Sequence, residues 1–456
     1  MSGFSTTLVV DGHNKATTIK LFSVARPHMR ALHLSWLSFM VAFFSWYAIP
    51  PLISIIGADI GLTANDISNS NIVAVAATIG ARLLVGPLCE RFGPRKVMAC
   101  LLIAGAIPTA MIGLVKSASG LMVLRFFIGI LGATFVPCQF WSTQMFAPKV
   151  VGAANALAGG WGNMGAGITY LVMPPLYNGI YSHTPTSNAW KFVYIIPAGL
   201  CILMACIDML FGDDCPEGKW HQGSKREDVD IMQPPQLESK NDFENAPHVA
   251  EVESISNTDN SQRDTDSLTS VNSTKSAMTS FLIGLKTCCQ PTVLILIAQY
   301  ACSFGLELSV DNIIAALFHS KFNLSLTDSS YVGSVFGLLN LFSRLSGGLF
   351  GDYLYKKFRL PGRILAQLLI FTCEGCFLIG FSYSLGRMDS SIIMMVFFSL
   401  FVQAAAGSTF SLAPFVDPAN AGTVIGIVGA GGQQTSSTFM KAFKENLEKE
   451  RLNAKK

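Results

Sequence analysis

The amino-acid sequence predicts an all-α, polytopic membrane protein. Of its 456 residues 50% are hydrophobic and only 13% are charged, whereas soluble domains carry about 25% charged residues. Apolar runs of about 18 residues or more recur along the chain, and this is the length at which a helix crosses the hydrocarbon core. The formal net charge of +3 is too small to indicate a nucleic-acid-binding protein.

The N-terminal half, residues 32–211, is predicted to hold six spans and follows a polar, mildly basic tail of residues 1–31. Span 1 is rich in aromatic residues and is interrupted by Pro50 and Pro51, while span 5 is crowded with glycine and alanine. Each segment is long enough to cross a bilayer as a helix. The six spans cover about residues 33–56, 71–89, 97–115, 121–141, 151–173 and 192–211.

The C-terminal half, residues 278–432, is predicted to be incomplete. Residues 212–277 precede it; they are rich in polar residues and lack apolar periodicity, which indicates a disordered cytoplasmic linker. Four full spans follow at about residues 291–318, 331–350, 364–383 and 392–413, and then part of span 11. Residues 433–456 form a polar tail that is unable to cross a membrane. We expect a truncated isoform or a mistaken gene model, with a natural ten-span protein as the alternative.

Lysine and arginine concentrate in the N-terminal tail, in the turn after span 2, in the central linker and in the turn after span 8. The loops on the other side hold few of them. The positive-inside rule therefore predicts that the N-terminus and the linker are cytoplasmic. We expect a multi-pass protein of the plasma membrane, with an organelle membrane as the alternative.

The sequence shows no sign of enzyme chemistry. Its 11 cysteines lie mostly inside apolar segments without accompanying histidines, which favours buried thiols over a metal site. It contains neither a nucleophile–base pattern nor a phosphate-binding loop. We therefore expect no enzyme activity, no metal, no cofactor and no nucleic-acid partner.

One short pattern occurs in span 2 and again in span 8. In both spans an arginine is followed, at intervals of four residues, by a glycine and an acid, so that all three share one helix face. An arginine at membrane depth is costly unless it faces a cavity or a partner, and its planar fork of donors suits a flat oxyanion. The repeat therefore predicts one anion site. Its members are Arg82, Gly86 and Glu90 in span 2 and Arg344, Gly348 and Asp352 in span 8.

The alternative is that each arginine pairs with an acid inside the membrane. Glu307, Asp311 and Glu374 are available, but none of them lies in span 2 beside Arg82. Arg125, near the start of span 4, is a third arginine that either joins the site or extends to the membrane surface.

A glycine-rich run in span 5 has an echo in the expected span 11. Small residues allow helices to pack closely in membranes, and the run in span 5 adds a polar amide at membrane depth. Two halves related as parallel repeats are a common transporter plan, in which the substrate lies at the repeat interface. The run in span 5 contains Gly160, Gly162, Asn163 and Gly165, and its echo contains Gly429, Gly431 and Gly432 followed by Gln433.

The turn between spans 2 and 3 resembles the characteristic loop of the major facilitator superfamily, Gly-x-x-x-Asp-Arg-x-Gly-Arg-Arg. Glu90 stands here in place of the aspartate. An acid at this place is able to cap a neighbouring helix, while the arginines anchor the cytoplasmic side and hold one state of alternating access. The other matching residues are Gly86, Arg91, Gly93 and Arg95.

The glycine-rich runs and the single arginines of spans 2 and 8 closely resemble the nitrate/nitrite porter family, a branch of that superfamily. The resemblance covers spans 1 to 10 and includes the stretches 135–141 and 300–307. It implies the major facilitator fold and secondary transport of nitrate or nitrite by alternating access. Eukaryotic members resemble proton symporters, so protons are an implied partner. A small accessory membrane subunit is a further candidate partner.

The resemblance also implies the site residues. The anion is expected between Arg82 and Arg344. Glu307 is the candidate for proton coupling; otherwise it is the partner of Arg344. The remaining implied substrate-binding residues are Asn163, Tyr300, Phe304 and, more weakly, Phe44.

Two other functions stay open. An incomplete chain without transport activity would regulate or associate with a full-length transporter, and autonomous uptake excludes this. A facilitator of another small anion is the second alternative, which competition between nitrate and other anions tests.

Overall fold

The computed structural model describes residues 8–183, 189–217, 220, 286 and 289–432. Within these residues the regular secondary structure is helical, and bridges between extended segments are limited to two isolated ones. Most of the predicted linker and the whole of the predicted tail, including Gln433, lie outside the described residues.

All six predicted spans of the N-terminal half are helical. Span 1 begins at His28, inside the stretch that the sequence assigned to the tail, and Pro50–Leu52 forms a 3-10 turn in its middle. Proline causes this break because it has no N–H to donate. The helices are His28–Trp46 and Ile53–Ile60 for span 1, Ala64–Phe92 for span 2, Pro94–Ala110 for span 3, Ala118–Ile128 and Phe135–Met145 for span 4, Val151–His183 for span 5, and Ala189–Val193 and Ile195–Phe211 for span 6.

The C-terminal half contains the four predicted full spans. An apolar helix, Ala421–Gly432, follows at the place where part of span 11 is expected. Span 8 is broken by the short 3-10 turn Leu339–Leu341, just before Arg344. The four full spans are Pro291–Phe322 for span 7, Leu326–Leu338 and Ser343–Phe358 for span 8, Leu360–Ser384 for span 9, and Met388–Leu412 for span 10.

Eight of the described helices are long and apolar enough to cross a membrane. Spans 5 and 8 are not among the eight; they pack against each other between the two halves. A helix that faces other helices rather than lipid tolerates glycine and polar residues, because close packing replaces contact with acyl chains. The chain is therefore a multi-pass membrane protein whose central helices are its least apolar ones.

Glycines bring the two halves together at one end of the bundle. We call this the basic end, because it carries Arg91, Arg95, Lys356 and Lys357. A Cβ built on Gly86 would lie 2.7 Å from the carbonyl oxygen of Gly422, and one on Gly348 would lie 2.7 Å from that of Gly152. Both distances are too short for a side chain. The repeat seen in the sequence therefore appears as two matching helix contacts, span 2 with span 11 and span 8 with span 5.

Candidate substrate site

Arg82 and Arg344 are both fully enclosed, with exposed fractions of 0% and 1%. Arg82 lies near the middle of span 2 and Arg344 lies at the start of the second helix of span 8. The guanidinium carbon of Arg82 is 5.4 Å from the centroid of the Phe304 ring, and that of Arg344 is 5.5 Å from the same centroid. Phe304 in span 7 thus links two arginines that are 262 positions apart in the sequence.

Arg82 is held by backbone oxygens from both halves. Its Nε donates to the carbonyl oxygen of Gly132 at 3.0 Å, and its Nη1 donates to that of Gly429 at 2.6 Å. Gly132 lies in the 3-10 stretch Gly129–Thr134 of span 4. Nη2 of Arg82 is buried and has no hydrogen-bond partner among the described residues.

Arg344 is held by a carboxylate and an amide of its own half. Its Nη2 forms an ion pair with Oε2 of Glu307 at 2.5 Å, and its Nε donates to Oδ1 of Asn340 at 3.2 Å. The amide nitrogen of Asn340 donates in turn to Oε1 of Glu307 at 2.8 Å, which closes a three-residue network. Nη1 of Arg344 is buried and lacks a partner among the described residues.

Aromatic rings enclose the space beside the arginines. Tyr300 and Phe304 stack at 4.9 Å with an angle of 9° between their planes. Phe135 of span 4 lies parallel to both rings and 5.0 Å from the guanidinium carbon of Arg82. The Tyr300 hydroxyl is buried and has no partner with hydrogen-bond geometry among the described residues, but it lies close enough to both guanidinium groups to interact with them electrostatically. Three buried donors of different spans therefore converge on one aromatic cage.

The acids of the repeat cap helices of the opposite half. Oε1 of Glu90 accepts hydrogen bonds from the backbone nitrogen and the hydroxyl of Thr423, at 2.9 and 3.0 Å. Oδ2 of Asp352 accepts one from the backbone nitrogen of Ala153 at 2.8 Å. A carboxylate at a helix N-terminus satisfies free N–H groups and complements the helix dipole. These contacts close the basic end.

Further contacts hold the two caps in place. Oδ1 of Asp352 is 2.5 Å from Nη2 of Arg363, whose guanidinium contacts the rings of both Tyr355 and Phe415. Arg95 pairs with Asp214 at 3.2 Å. Burial raises the pKa of the Asp214 carboxyl, and the positive charge of Arg95 opposes that rise.

The turn between spans 2 and 3 needs glycine at position 93. Gly93 has a φ of 87°, a backbone conformation that residues with a Cβ rarely adopt. Arg91 lies over the ring of Phe92, at 5.2 Å from its centroid. The turn is thus compact, and it places Glu90 opposite Thr423.

A cavity of about 200 Å³ lies at the end of the bundle opposite to the basic end. Asn71, Tyr170, Asn312 and His319 are among the residues that line it. Asn71 and Asn312 also line a smaller adjoining pocket together with Tyr47 and Arg125. The described helices are therefore sealed at the basic end and leave space at the other.

The chain matches the family model of the Major Facilitator Superfamily over residues 35–439. High affinity nitrate transporter 2.5 of Arabidopsis thaliana is 37% identical over 431 residues, which cover 93% of this chain and 76% of that protein. The nitrate/nitrite transporter NrtP of Picosynechococcus sp. is 27% identical over 471 residues, covering 90% and 84%. The chain belongs to the nitrate/nitrite porter family of the major facilitator superfamily.

The fold of this porter also matches a solved transporter. The proton:xylose symporter XylE, bound to 6-bromo-6-deoxy-D-glucose, superposes with a TM-score of 0.59 at 13% identity, covering 93% of the porter chain and 90% of XylE. At that identity the likeness shows the fold alone. The major facilitator fold and the absence of an enzyme role that the sequence predicts are both confirmed.

In this porter the glycines of span 5 serve close contacts near the arginines. A Cβ built on Gly160 would lie 2.6 Å from the carbonyl oxygen of Asn340 and 3.0 Å from Cβ of Arg344. Asn163 lies one turn after Gly159, and its amide nitrogen donates to the Gly159 carbonyl oxygen at 2.8 Å. Asn163 thus adjoins the Arg344 side of the site, and its contact with the anion stays a prediction.

The other signature glycines of the porter pack span 5 on span 1 and span 11 on span 7. A Cβ built on Gly165 would lie 3.0 Å from the backbone nitrogen of Phe44, and Gly162 faces the ring of Phe39. Phe44 itself therefore lies at a helix contact, and its role in binding stays a prediction. Gly431 and Gly432 pack against Ile297 and Tyr300 in the same manner.

The porter structure adds residues that sequence reasoning missed. Phe135 belongs to a stretch that carried the family resemblance, but its cation–π contact with Arg82 was not foreseen. Asn340 was also missed, although its position four residues before Arg344 places both on one helix face. Arg125 is buried and donates to Ser70 and Asn71, so it does not extend to the membrane surface.

Proposed function

We propose that this porter carries nitrate or nitrite across the membrane by alternating access, with the anion held between Arg82 and Arg344. One observation carries the proposal: Arg82 Nη2, Arg344 Nη1 and the Tyr300 hydroxyl are buried donors without partners among the described residues. A buried donor left unsatisfied is costly, and a flat oxyanion offers acceptors to several planar donors at once. The nitrate transporters among the relatives support the choice of anion.

The charge at the site supports a monovalent substrate. Two guanidinium groups carry two positive charges, and Glu307 neutralises one of them through its ion pair with Arg344. A monovalent anion between the arginines would therefore pair with Arg82, whose hydrogen bonds run to neutral carbonyl oxygens. Phe135, Tyr300 and Phe304 provide flat apolar walls for an ion that is itself planar.

We also propose how the porter is oriented in the membrane and that its transport is coupled to protons. The basic end faces the cytoplasm, with the N-terminus and the linker, in the plasma membrane. The caps at Glu90 and Asp352 then hold the porter closed on the cytoplasmic side, and the anion enters from the cavity at the opposite end. Coupling to more than one proton per anion gives a net inward positive charge, so the membrane potential drives uptake, since one charge moved through 100 mV is worth about 2.3 kcal/mol.

Glu307 has the role that the sequence offered as the alternative to coupling, because it pairs with Arg344. Its part in proton coupling stays a prediction. The accessory membrane subunit is likewise a proposal, drawn from the family resemblance.

The test is uptake of labelled nitrate by nitrate-uptake-deficient cells that express the porter. Arg82→Lys and Arg344→Lys keep the charge but lose the planar fork, so each should weaken the apparent affinity about tenfold or more, given about 1.5–3 kcal/mol for a charged hydrogen bond. Arg387→Lys, at the exposed start of span 10, is the matched control and should leave uptake unchanged.

Unchanged affinity in both site variants would refute binding between the arginines. If another small anion competes more strongly than unlabelled nitrate does, that anion replaces nitrate as the proposed substrate. If the chain takes up no nitrate alone but alters uptake by a co-expressed full-length transporter, the regulatory alternative replaces transport.

A further inference from the structure

A second acid lies one helical turn from Glu307. Asp311 and Glu307 are four residues apart in span 7 and therefore lie on the same face of that helix. The two carboxyl groups interact electrostatically with each other, and Asp311 also interacts with Arg344. The site thus contains two acids as well as two arginines.

Asp311 is the acid closer to the cavity opposite the basic end. It is 7% exposed, whereas Glu307 is 1% exposed. Its neighbour Asn312 lines both the large cavity and the smaller pocket beside it. Span 7 runs from the basic end to the opposite end, so a proton from the cavity meets Asp311 one turn before Glu307.

The two acids differ in how firmly they are held. Glu307 accepts from Arg344 and from Asn340 at 2.5 and 2.8 Å. Protonating it would weaken two bonds, of which one is charge-assisted. The Asp311 carboxylate has no ion-pair partner among the described residues, and its backbone oxygen alone accepts from the hydroxyl of Tyr170, at 3.1 Å.

Groups from every neighbouring helix face Asp311. Tyr47 of span 1 and Tyr170 of span 5 interact with its charge, and Arg344 approaches from span 8. Arg125 of span 4 borders the small pocket, where Ser70 and Asn71 hold its guanidinium. His319, two turns further along span 7, lines the large cavity.

These charges balance only when the site is empty. Arg82 and Arg344 contribute two positive charges, and ionised Glu307 and Asp311 contribute two negative ones. A bound monovalent anion adds one uncompensated negative charge in a medium of low dielectric constant, which is costly. One proton on an acid removes that excess.

We propose that Asp311 binds the proton that accompanies the anion, while Glu307 stays ionised as the partner of Arg344. A proton from water in the cavity forms an O–H bond on the Asp311 carboxylate as the anion binds, and that bond breaks when the proton leaves on the other side. One of the protons that accompany each anion is carried at this residue. The inference rests on the proposed anion transport and names the residue through which protons drive it.

The experiment compares initial nitrate uptake at about pH 5.5 with that at about pH 7.5, both below the pKa at which lysine or arginine titrates. We expect wild-type uptake to be faster at the lower pH. Asp311→Asn imitates the protonated acid, so its uptake ratio between the two pH values should fall to about one. Exchange of external for internal nitrate should persist in this variant, because exchange moves no net proton.

Glu374→Gln is the matched comparison, since Glu374 is another buried acid of the C-terminal half that interacts with Glu307 but is not among the residues lining either cavity. It should keep the wild-type ratio. A wild-type ratio in Asp311→Asn overturns the proposal, as does a ratio of about one in Glu374→Gln alone. Should Asp311→Asn fail to reach the membrane, Asp311→Glu decides: a shifted pH midpoint supports the proposal, and an unchanged midpoint overturns it.

A measurement of nitrate binding distinguishes failure of this inference from failure of the proposed function. Thermal stabilisation of purified wild-type porter by nitrate reports the anion site without proton movement. If nitrate neither stabilises nor enters, the anion site fails, and the role of Asp311 fails with it. If nitrate stabilises and is concentrated while Asp311→Asn stays proton-driven, only the role of Asp311 is refuted.

Discussion

Arg82 and Arg344 occupy equivalent positions of a repeat, yet the two halves hold them differently. Arg344 is compensated within its own half by Glu307, and Asn340 fixes the orientation of both. Within the described residues, Arg82 donates to neutral carbonyl oxygens, of Gly132 in its own half and of Gly429 in the other, and lies over aromatic rings. The N-terminal half therefore supplies an uncompensated positive charge, and the C-terminal half supplies a neutral pair.

The repeated spacing determines the helix contacts of both halves but not the partner of each arginine. The shared spacing of arginine, glycine and acid gives both helices the same contact geometry at the basic end. The partner of each arginine comes from other helices, and span 7 provides a carboxylate to only one of them. The asymmetry leaves Arg344 paired with a carboxylate and Arg82 without an ion-pair partner among the described residues.

The largest effect that we expect is a difference in stability between two alanine variants. Arg344→Ala leaves Glu307 buried without its partner, and breaking a buried ion pair costs about 3–5 kcal/mol. Arg82→Ala removes hydrogen bonds to neutral carbonyls and leaves no buried charge behind. Arg344→Ala should therefore lower the melting temperature of the purified porter more than Arg82→Ala does.

The double variant Arg344→Met with Glu307→Met is the control for that comparison. It removes both charges and should regain much of the lost stability. Equal melting temperatures for Arg344→Ala and Arg82→Ala would show that the two arginines are compensated alike.

The second effect concerns the two caps at the basic end. Asp352 accepts from the backbone nitrogen of Ala153 and forms an ion pair with Arg363, which also donates to the Pro148 carbonyl oxygen of the other half, whereas Glu90 accepts two bonds from Thr423. Asp352→Ala should therefore open this end more than Glu90→Ala, at about 1.5–3 kcal/mol for each charged hydrogen bond lost. The labelling rate of Ala156→Cys, buried at the contact with Gly348, by a water-soluble thiol reagent measures the opening.

Native cysteines also react with the reagent. Each capping variant with Ala156→Cys is therefore compared with the same capping variant that keeps Ala156. Faster labelling in Glu90→Ala than in Asp352→Ala would reverse the expected order of the two caps.

The smallest expected effect is on nitrate affinity, and it comes from removing a ring that contacts Arg82. Phe135→Leu removes a ring that lies 5.0 Å from its guanidinium carbon, and such a contact contributes about 0.5–2 kcal/mol. Nitrate affinity should weaken by a few-fold to about thirtyfold, as measured by concentration-dependent uptake. Phe140→Leu changes a ring of the same helix that packs on Trp220, and it should leave the affinity as it is. An unaltered affinity in Phe135→Leu would remove that ring from the site.

The sequence was informative where a pattern is local. The spacing of four residues predicted that each arginine, glycine and acid share a face, and the capping role of Glu90 is confirmed by its bonds to Thr423. The helix break at Pro50 and Pro51 was also readable, because proline acts on its own turn.

The missed parts of the site depend on tertiary packing. Phe135 reaches Arg82 only because span 4 packs beside span 2, and the Gly132 carbonyl accepts from Arg82 within a 3-10 stretch of span 4. No periodicity in the chain indicates which carbonyl faces a distant guanidinium. The end of span 1 facing the tail was also misplaced, because His28 and Arg30 are polar although they lie in the first turn of the helix.

The bond from Arg82 Nη1 to the Gly429 carbonyl gives one guanidinium two tasks. It joins span 2 to the helix Ala421–Gly432, and it belongs to the guanidinium that the proposed function assigns to the anion. On that proposal, an anion that drew Arg82 toward itself would weaken this bond between the halves, and separation of the halves would free the Nη1 donor for the anion. Anion binding and the contact between spans 2 and 11 would then be linked through a single side chain.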